Sequence, residues 1–180
     1  SGDIELLAAA GTRVAHCPIS NAKLCSGIMP IRELRAAGVT VGLATDGPAS
    51  HNALDMFQEM KFGAITHKNA QQDPELLTVD EMLLMATRDA AAAMHLEAVG
   101  TISAGQRADL IVVDLDRPHC APRYDSAAAL VYSSRADDVV HTVVDGQVIV
   151  EDRRIRGLDV PALLAELRAR ALALRARSGV

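Results

Sequence analysis

Apolar positions in the first half of the chain follow two periods, one typical of buried strands and one typical of helices. Two short apolar runs, 13–16 and 39–44, predict strands. Apolar residues three or four positions apart predict helices over 4–10, 30–37, 53–67 and 78–94. Residues 19–29, rich in Ser, Asn and Gly, are predicted as a loop. The order strand, loop, helix, strand is typical of a parallel α/β sheet.

The pattern changes after Gly100. Residues 108–114 predict a strand, and residues 139–150 predict two strands joined by an Asp-Gly turn, the strongest short hairpin signal. Residues 158–177 place leucines on one side of a helix and arginines elsewhere, so we expect this helix to pack on the rest of the chain. The predicted units are therefore an α/β part at 1–100, a small β part at 101–155 and a terminal helix at 156–180.

Composition and charge narrow the class of protein. The chain has 180 residues and a net charge of −5, which favours one domain with a small second unit and disfavours nucleic acid as a partner. No apolar run reaches the roughly 18 residues of a membrane span, so no membrane association is expected. The three cysteines lack CxxC spacing, which disfavours a zinc–thiolate site and favours a reducing, cytoplasmic location.

Asp46 is the strongest candidate for a functional residue. It follows the apolar run 41–44 and precedes Gly47. A carboxylate after a buried strand, followed by a Gly turn, is where α/β barrels place catalytic and metal-binding groups. The alternative is that Asp46 only caps the turn. His16 ends the other strand, where it either contacts a substrate or makes a structural hydrogen bond to the loop.

Two pairs of motifs resemble one known family. The segments VAHCPISNAKLCSGIMPIREL and GVTVGLATDGPASHNALDMFQEM, residues 14–34 and 38–60, resemble the late barrel segment of the amidohydrolase superfamily. They are most similar to its branch of 5-methylthioadenosine/S-adenosylhomocysteine deaminases, which also includes triazine hydrolases. Residues 99–115 and 130–155 resemble the entry and the closing strands of the small β domain in those enzymes. The resemblance covers nearly the whole chain.

The resemblance implies an α/β fold, namely the C-terminal part of a metal-dependent hydrolase (β/α)8 TIM barrel with a small composite β-sandwich domain. Family members bind one divalent metal, Zn or Fe, through a His-x-His pair, two further His and an Asp on the eighth strand. Asp46 matches that Asp, as metal ligand and catalytic residue. Ser50 matches a small polar position beside the metal carboxylate, where it either contacts the carboxylate or caps a helix. His51 stands where the family often has Asn, which favours capping.

The chain departs from the family in its histidines. None of its six histidines forms a His-x-His pair, and by this resemblance the sequence begins just before the seventh barrel strand. Ser1 is not an initiator methionine, and no secretion signal follows it, which favours a processed chain or a piece of a longer one. A catalytic zinc needs about three protein ligands, so we do not expect this chain alone to hold the metal.

Several functions therefore remain open at this point. The first is hydrolytic deamination of an adenosine-like compound, of S-adenosylhomocysteine or methylthioadenosine type, through a metal-activated water. The alternatives are a triazine chlorohydrolase, another purine or 8-oxoguanine deaminase, or a catalytically silent folding or association module. The expected partners are a small purine nucleoside-like substrate, the missing N-terminal barrel segment and, because open sheet edges recruit other chains, a second copy in a homo-oligomer.

Overall fold

Strands β1 (Val14–His16) and β2 (Val41–Leu43) form a two-stranded parallel sheet in a computed structural model that describes residues 2–179. Ser1 and Val180, at the outer ends of the predicted units 1–100 and 156–180, lie outside the described residues. All three residues of β2 are buried. The predicted strands are confirmed, and with them the α/β character of this part of the chain.

Helices flank this sheet along the first half of the chain. They are α1 (Gly2–Ala9), α2 (Pro18–Lys23), α3 (Ile31–Ala36), α4 (Pro48–His51), α5 (Met56–Gln71), α6 (Val79–Ala86) and α7 (Arg88–Ala93). The helix predicted over 78–94 is two helices, because Thr87 leaves the helical conformation at φ −124° and ψ −91°. The helix predicted from residue 53 begins only at Met56, where the Asp55 side chain accepts the first backbone N–H groups.

The loop predicted over 19–29 is wrong in its first part, since α2 occupies it. Pro18 takes the first turn of α2, where its fixed φ suits a helix and its missing N–H costs nothing. Pro18 and Ser20 are buried. Pro18 packs against α5 at Gly63, where an added Cβ would lie only 3.1 Å from Pro18 Cγ. This contact between distant parts of the chain stabilises a helix that the Ser and Asn residues do not favour by themselves.

The second half of the chain forms an antiparallel sheet in the described residues. Its strands are β3 (Leu110–Val113), β4 (Val139–Val144), β5 (Gln147–Glu151) and β6 (Arg154–Ile155), in that spatial order. The predicted hairpin at Asp145 and Gly146 is confirmed, with both residues at positive φ, as a tight hairpin turn requires. An unpredicted helix, α8 (Ser126–Tyr132), packs on α5 and α6 and brings Val131 into the core. The division into units at residues 100 and 155 stays a prediction.

The terminal helix, α9 (Val160–Ser178), forms as predicted but does not pack as predicted. Every residue from Val160 to Ser178 is exposed, including the leucines of its apolar side. Amphipathic spacing indicates which side of a helix can be buried, but it does not provide the covering surface. Among residues 2–179, no helix is long and apolar enough to cross a membrane.

A buried histidine pair links the parallel sheet to α5. Nε2 of His16, at the end of β1, lies 2.8 Å from Nε2 of His67, so one ring donates a hydrogen bond to the other. Both side chains are enclosed, and burial lowers the pKa of both rings. For His16, burial and the neighbouring His67 lower the pKa to about 4.

The close approach of α7 to β2 generates one testable prediction. A Cβ added to Gly42 would lie 2.4 Å from the backbone Cα of Ala90, so Gly42→Ala must displace α7. We expect a loss of at least about 2 kcal/mol of unfolding free energy, measured by urea denaturation. Gly47→Ala is the matched control, because its Cβ would meet nothing within 4 Å. Equal urea midpoints for the two variants would contradict the packing argument.

The histidine pair generates a second prediction, on pH dependence. Because the folded-state pKa of both rings lies below the unfolded value of about 6.5, the unfolded chain binds more protons over this range. The pair should therefore make the free energy of unfolding rise between about pH 4 and 6.5. Urea midpoints of the wild type and of His16→Asn/His67→Asn should diverge across this window and run parallel at pH 7–8. Parallel curves throughout would show that the pair does not titrate as argued.

Candidate functional site

Asp46 lies at the carboxyl edge of the parallel sheet, in the turn that follows β2. The Ala44 N–H donates to the His16 carbonyl at 2.8 Å, which extends the pairing of the two strands toward this turn. Asp46 itself has φ +61°, a left-handed conformation that Asp adopts more readily than most residues. Its side chain is exposed to solvent. The structure thus presents a carboxylate at the end of a buried strand, as predicted.

Two serine hydroxyls hold one oxygen of this carboxylate. Ser20 of α2 and Ser50 of α4 each donate from Oγ to Asp46 Oδ2 at 2.7 Å. Both serines are buried, so these hydrogen bonds are shielded from water on the protein side. The hydrogen bonds from Ser20, Ser50 and the Gly47 backbone lower the pKa of Asp46 below its ordinary value. The carboxylate is therefore ionised at neutral pH.

Ser20 is the site residue that the sequence reasoning missed. Ser20 lies in the segment 19–29 that was predicted as a loop, and its hydroxyl contacts Asp46, 26 positions further along the chain. The available signal was topological, because the segments that follow two parallel strands meet at one edge of the sheet. Ser50 was expected either to contact the carboxylate or to cap a helix. Its Oγ lies near both acceptors, at 2.7 Å from Asp46 Oδ2 and 3.0 Å from the Gly47 carbonyl.

His16 faces α5 rather than the loop. Its ring nitrogen bonds to His67, so the expected structural hydrogen bond to the loop is not the contact that His16 makes. The ring is 3 % exposed. A contact of His16 with substrate stays a prediction.

A buried carboxylate, Glu59 of α5, lies behind the two serines. Its Oε2 accepts from the Ile19 N–H at 3.2 Å, and its Oε1 lies 3.3 Å from His51 Nε2. His51 Nδ1 accepts the N–H groups of Ala53 and Leu54 at 3.2 and 2.8 Å, so His51 stabilises the turn between α4 and α5, whereas the N-cap of α5 is Asp55. Burial raises the pKa of Glu59 to about 7, with the Ile19 N–H acting in the opposite direction.

Both carboxylates act on the thiol of Cys17. Burial raises the pKa of its thiol, and the charges of Asp46 and Glu59 raise it further, against the opposing effect of the Asp46 backbone N–H. A thiol with a raised pKa stays protonated near neutral pH, and the protonated form is neither a nucleophile nor a good metal ligand. Cys17 therefore contributes packing rather than thiolate chemistry.

Another group of potential metal ligands lies in the second half of the chain. Ligand atoms of His119, Cys120 and Asp138 lie within 4.8 Å of one another. The Asp138 carboxylate is already engaged: Oδ2 lies 2.8 Å from His119 Nε2 and accepts the Arg135 N–H, and Oδ1 lies 3.4 Å from Arg117 Nε. These cationic and donor groups would repel a metal cation, so we interpret the group as a structural charge network.

Asp46 fits a metal ligand by its chemistry but does not complete a site. It is an ionised, exposed carboxylate, the kind of oxygen donor that divalent ions accept. In residues 2–179, no set of three His, Cys, Asp or Glu side chains forms around it. Two concave regions of about 430 and 340 Å³ lie elsewhere, one beside Ile111 and Arg153 and the other beside Phe57 and His119. Neither is lined by Asp46, Ser20 or Ser50. The described residues therefore supply one candidate ligand, Asp46, which is open to solvent.

Known proteins are similar to this chain in sequence and in fold. A 5-methylthioadenosine/S-adenosylhomocysteine deaminase of Pelotomaculum thermopropionicum is 47% identical over 173 residues, covering 96% of this chain and 40% of that protein. A zinc-bound adenosine deaminase structure from Xanthomonas campestris superposes with a TM-score of 0.92 at 34% identity, over 97% of this chain and 40% of that one. The structure of zinc-bound atrazine chlorohydrolase from Arthrobacter aurescens superposes with a TM-score of 0.85 at 32% identity, over 93% of this chain and 38% of that one.

The chain spans about 40% of the length of the relatives that it matches, and it corresponds to their carboxyl-terminal part. The model of the amidohydrolase family matches residues 1–149, which include Asp46, both serines, β3, β4 and the first part of β5. The resemblance predicted from the sequence is confirmed by these matches. This chain belongs to the amidohydrolase family.

Proposed function

We propose that this chain is the Asp46-bearing part of a metal-dependent hydrolase that removes the amino group of an adenosine-like compound. Water adds to the ring carbon that carries the amino group, the carbon–nitrogen bond breaks, and ammonia leaves. The observation that supports this proposal most directly is the ionised Asp46 carboxylate, held by two serine hydroxyls after a buried strand. The relative named as 5-methylthioadenosine/S-adenosylhomocysteine deaminase supports the substrate class.

Asp46 has two roles in this proposal. It is one ligand of a divalent ion, and it accepts the proton of the attacking water and passes it to the leaving amine. Such an ion lowers the pKa of water in the site, so that water becomes a nucleophile near neutral pH. Zinc is favoured over iron, because zinc is the ion named in the similar solved structures. Ser20 and Ser50 hold Oδ2 and so fix the carboxylate plane.

The remaining ligands and the substrate pocket belong, in this proposal, to the amino-terminal barrel segment of the whole protein. The units 1–100, 101–155 and 156–180 and the homo-oligomer are part of the same proposal. So is the cytoplasmic location that the three cysteines without CxxC spacing suggest. His16 is retained as a candidate for substrate contact through this missing part.

A triazine chlorohydrolase is the second candidate. The superposition on zinc-bound atrazine chlorohydrolase, with a TM-score of 0.85 over 93% of this chain, favours it. Both candidates use the same carboxylate and differ in the leaving group, ammonia or chloride. Turnover of adenosine-type and chlorotriazine substrates by the complete enzyme distinguishes them, and turnover of neither supports a silent association module.

The role of Asp46 generates the first prediction of this section. In the complete, metal-replete enzyme, Asp46→Asn should lower turnover at least about a hundredfold, because an amide cannot accept the proton of water. Asp109→Asn is the matched control, since Asp109 Oδ1 accepts the Asp145 N–H, which an amide oxygen can replace, and its Oδ2 has only a 4.0 Å exposed contact with Arg107 Nε. Steady-state ammonia release measures both. Near-full activity of Asp46→Asn would overturn the assignment.

The incomplete ligand set generates the second prediction. The 180-residue chain should bind zinc no tighter than a Kd of about 1 μM, because one carboxylate does not make a zinc site. Isothermal titration measures the affinity, with Cys120→Ser as a control for the charge network at Asp138. A stoichiometric, submicromolar site that disappears in Asp46→Ala would contradict the split site and point to ligands such as His16 or His51.

A further inference from the structure

Glu59 contacts both of the helices that carry the two serines, α2 and α4. Its side chain and that of His51 are both 0% exposed, and the two carboxylate oxygens face different helices. Oε2 accepts from the backbone N–H of Ile19 in α2 at 3.2 Å. Oε1 lies 3.3 Å from Nε2 of His51 in α4. One carboxylate of α5 therefore connects α2 to α4.

The two connected residues are the direct neighbours of the two serines. Ile19 precedes Ser20, and His51 follows Ser50. Each serine donates to Asp46 Oδ2 at 2.7 Å. We infer that Glu59 is a positioning residue, whose two oxygens hold the helices that carry Ser20 and Ser50 and so fix the Asp46 carboxylate.

The hydrogen-bond roles explain why this residue is a glutamate. Nδ1 of His51 accepts two backbone N–H groups, which assigns the ring proton of neutral His51 to Nε2. Glu59 Oε2 thus accepts the Ile19 N–H, and Oε1 lies 3.3 Å from the protonated Nε2 of His51 in an electrostatic contact, without a hydrogen bond between them. A carboxylate accepts at both oxygens, whereas the amide of a glutamine has one accepting oxygen and one donating nitrogen. Glu59→Gln therefore loses one connection while keeping the size of the side chain.

The surroundings of Glu59 support a functional reason for its burial. A buried carboxylate is costly, and here burial raises the pKa of Glu59 to about 7. The titratable groups that face it are His51 and Cys17. Neither is a permanent cation, so the charge of Glu59 is not offset by a strong ion pair. Its burial brings a hydrogen bond to α2 and an electrostatic contact with His51 of α4.

The experiment reads Asp46 directly, in the 180-residue chain without metal or substrate, at pH 8.5, where Glu59 is mainly ionised. The aspartates are labelled with ¹³C, and NMR follows the ¹³Cγ resonance of Asp46. The Ser20→Ala/Ser50→Ala variant, compared with the wild type, shows how far this resonance moves when both hydroxyls are lost. We expect Glu59→Gln to move the resonance in the same direction. In the Ser20→Ala/Ser50→Ala background, Glu59→Gln should move it no further, because its effect passes through the serines.

Two outcomes would overturn the inference. One is an Asp46 resonance that Glu59→Gln leaves in place. The other is an equal displacement with and without the serines, which would mean a direct effect of charge. Glu33→Gln, an exposed glutamate in α3, controls for loss of a negative charge, and Val131→Ala in α8 controls for loss of stability.

A second variant tests one connection by itself and decides the matter if Glu59→Gln does not fold. His51→Ala breaks the connection of Glu59 to α4 and leaves the one to α2, and it also removes the acceptor of the Ala53 and Leu54 N–H groups. Its effect on Asp46 should persist in Ser20→Ala and disappear in Ser50→Ala. Persistence in both backgrounds would contradict the inference.

The consequence for catalysis rests on the proposed function and is measured separately. In the complete enzyme, Glu59→Gln should lower turnover about 10- to 100-fold, the usual effect of replacing a residue that positions a metal-ligating side chain without contacting the metal. Unchanged turnover with a displaced Asp46 resonance would count against the role of Asp46 in the reaction and not against the position of Glu59.

Discussion

Parallel hydrogen bonding between β1 and β2 decides where the polar groups of the site lie. Parallel strands run in the same direction, so the segments after them meet at one edge of the sheet. The register pairs His16 with Leu43, and the Ala44 N–H continues the pairing by one step. The segment after β1 becomes α2 and the segment after β2 carries Asp46, so Ser20 reaches the carboxylate across the sheet edge. The same geometry leaves the carboxylate open on its outer side.

Local signals were enough to predict the strands, the hairpin and Asp46. Each depends on a short apolar run or on a turn dipeptide. These signals lie within a few residues of the feature that they predict. Helix α2 could not be predicted in this way, because the contact of Pro18 with Gly63 joins residues far apart in sequence. Ser20 was missed for the same reason. Residues that pair only through the sheet leave no pattern in the residues beside them.

The burial of Glu59 and the exposure of α9 have a related cause. Charged residues usually face solvent, yet Glu59 is enclosed, where its Oε2 accepts the Ile19 N–H and its Oε1 lies 3.3 Å from His51 Nε2. In α9 the amphipathic spacing predicted a packed helix, but no part of the described chain covers its leucine side. The pattern of apolar and polar residues indicates which groups can be buried. Which of them are buried depends on the side chains and backbone groups that the topology places next to them.

The enclosure of Glu59 sets thermal stability against activity. Replacing a buried charge with an apolar side chain of similar volume is often neutral or stabilising. Selection for a higher melting temperature would therefore favour a leucine or a methionine at this position. Such a protein would gain heat resistance while Ser20 and Ser50 lose their common anchor. Under the proposed function, selection for heat resistance at position 59 would lower turnover, the usual trade-off at sites that are retained for function.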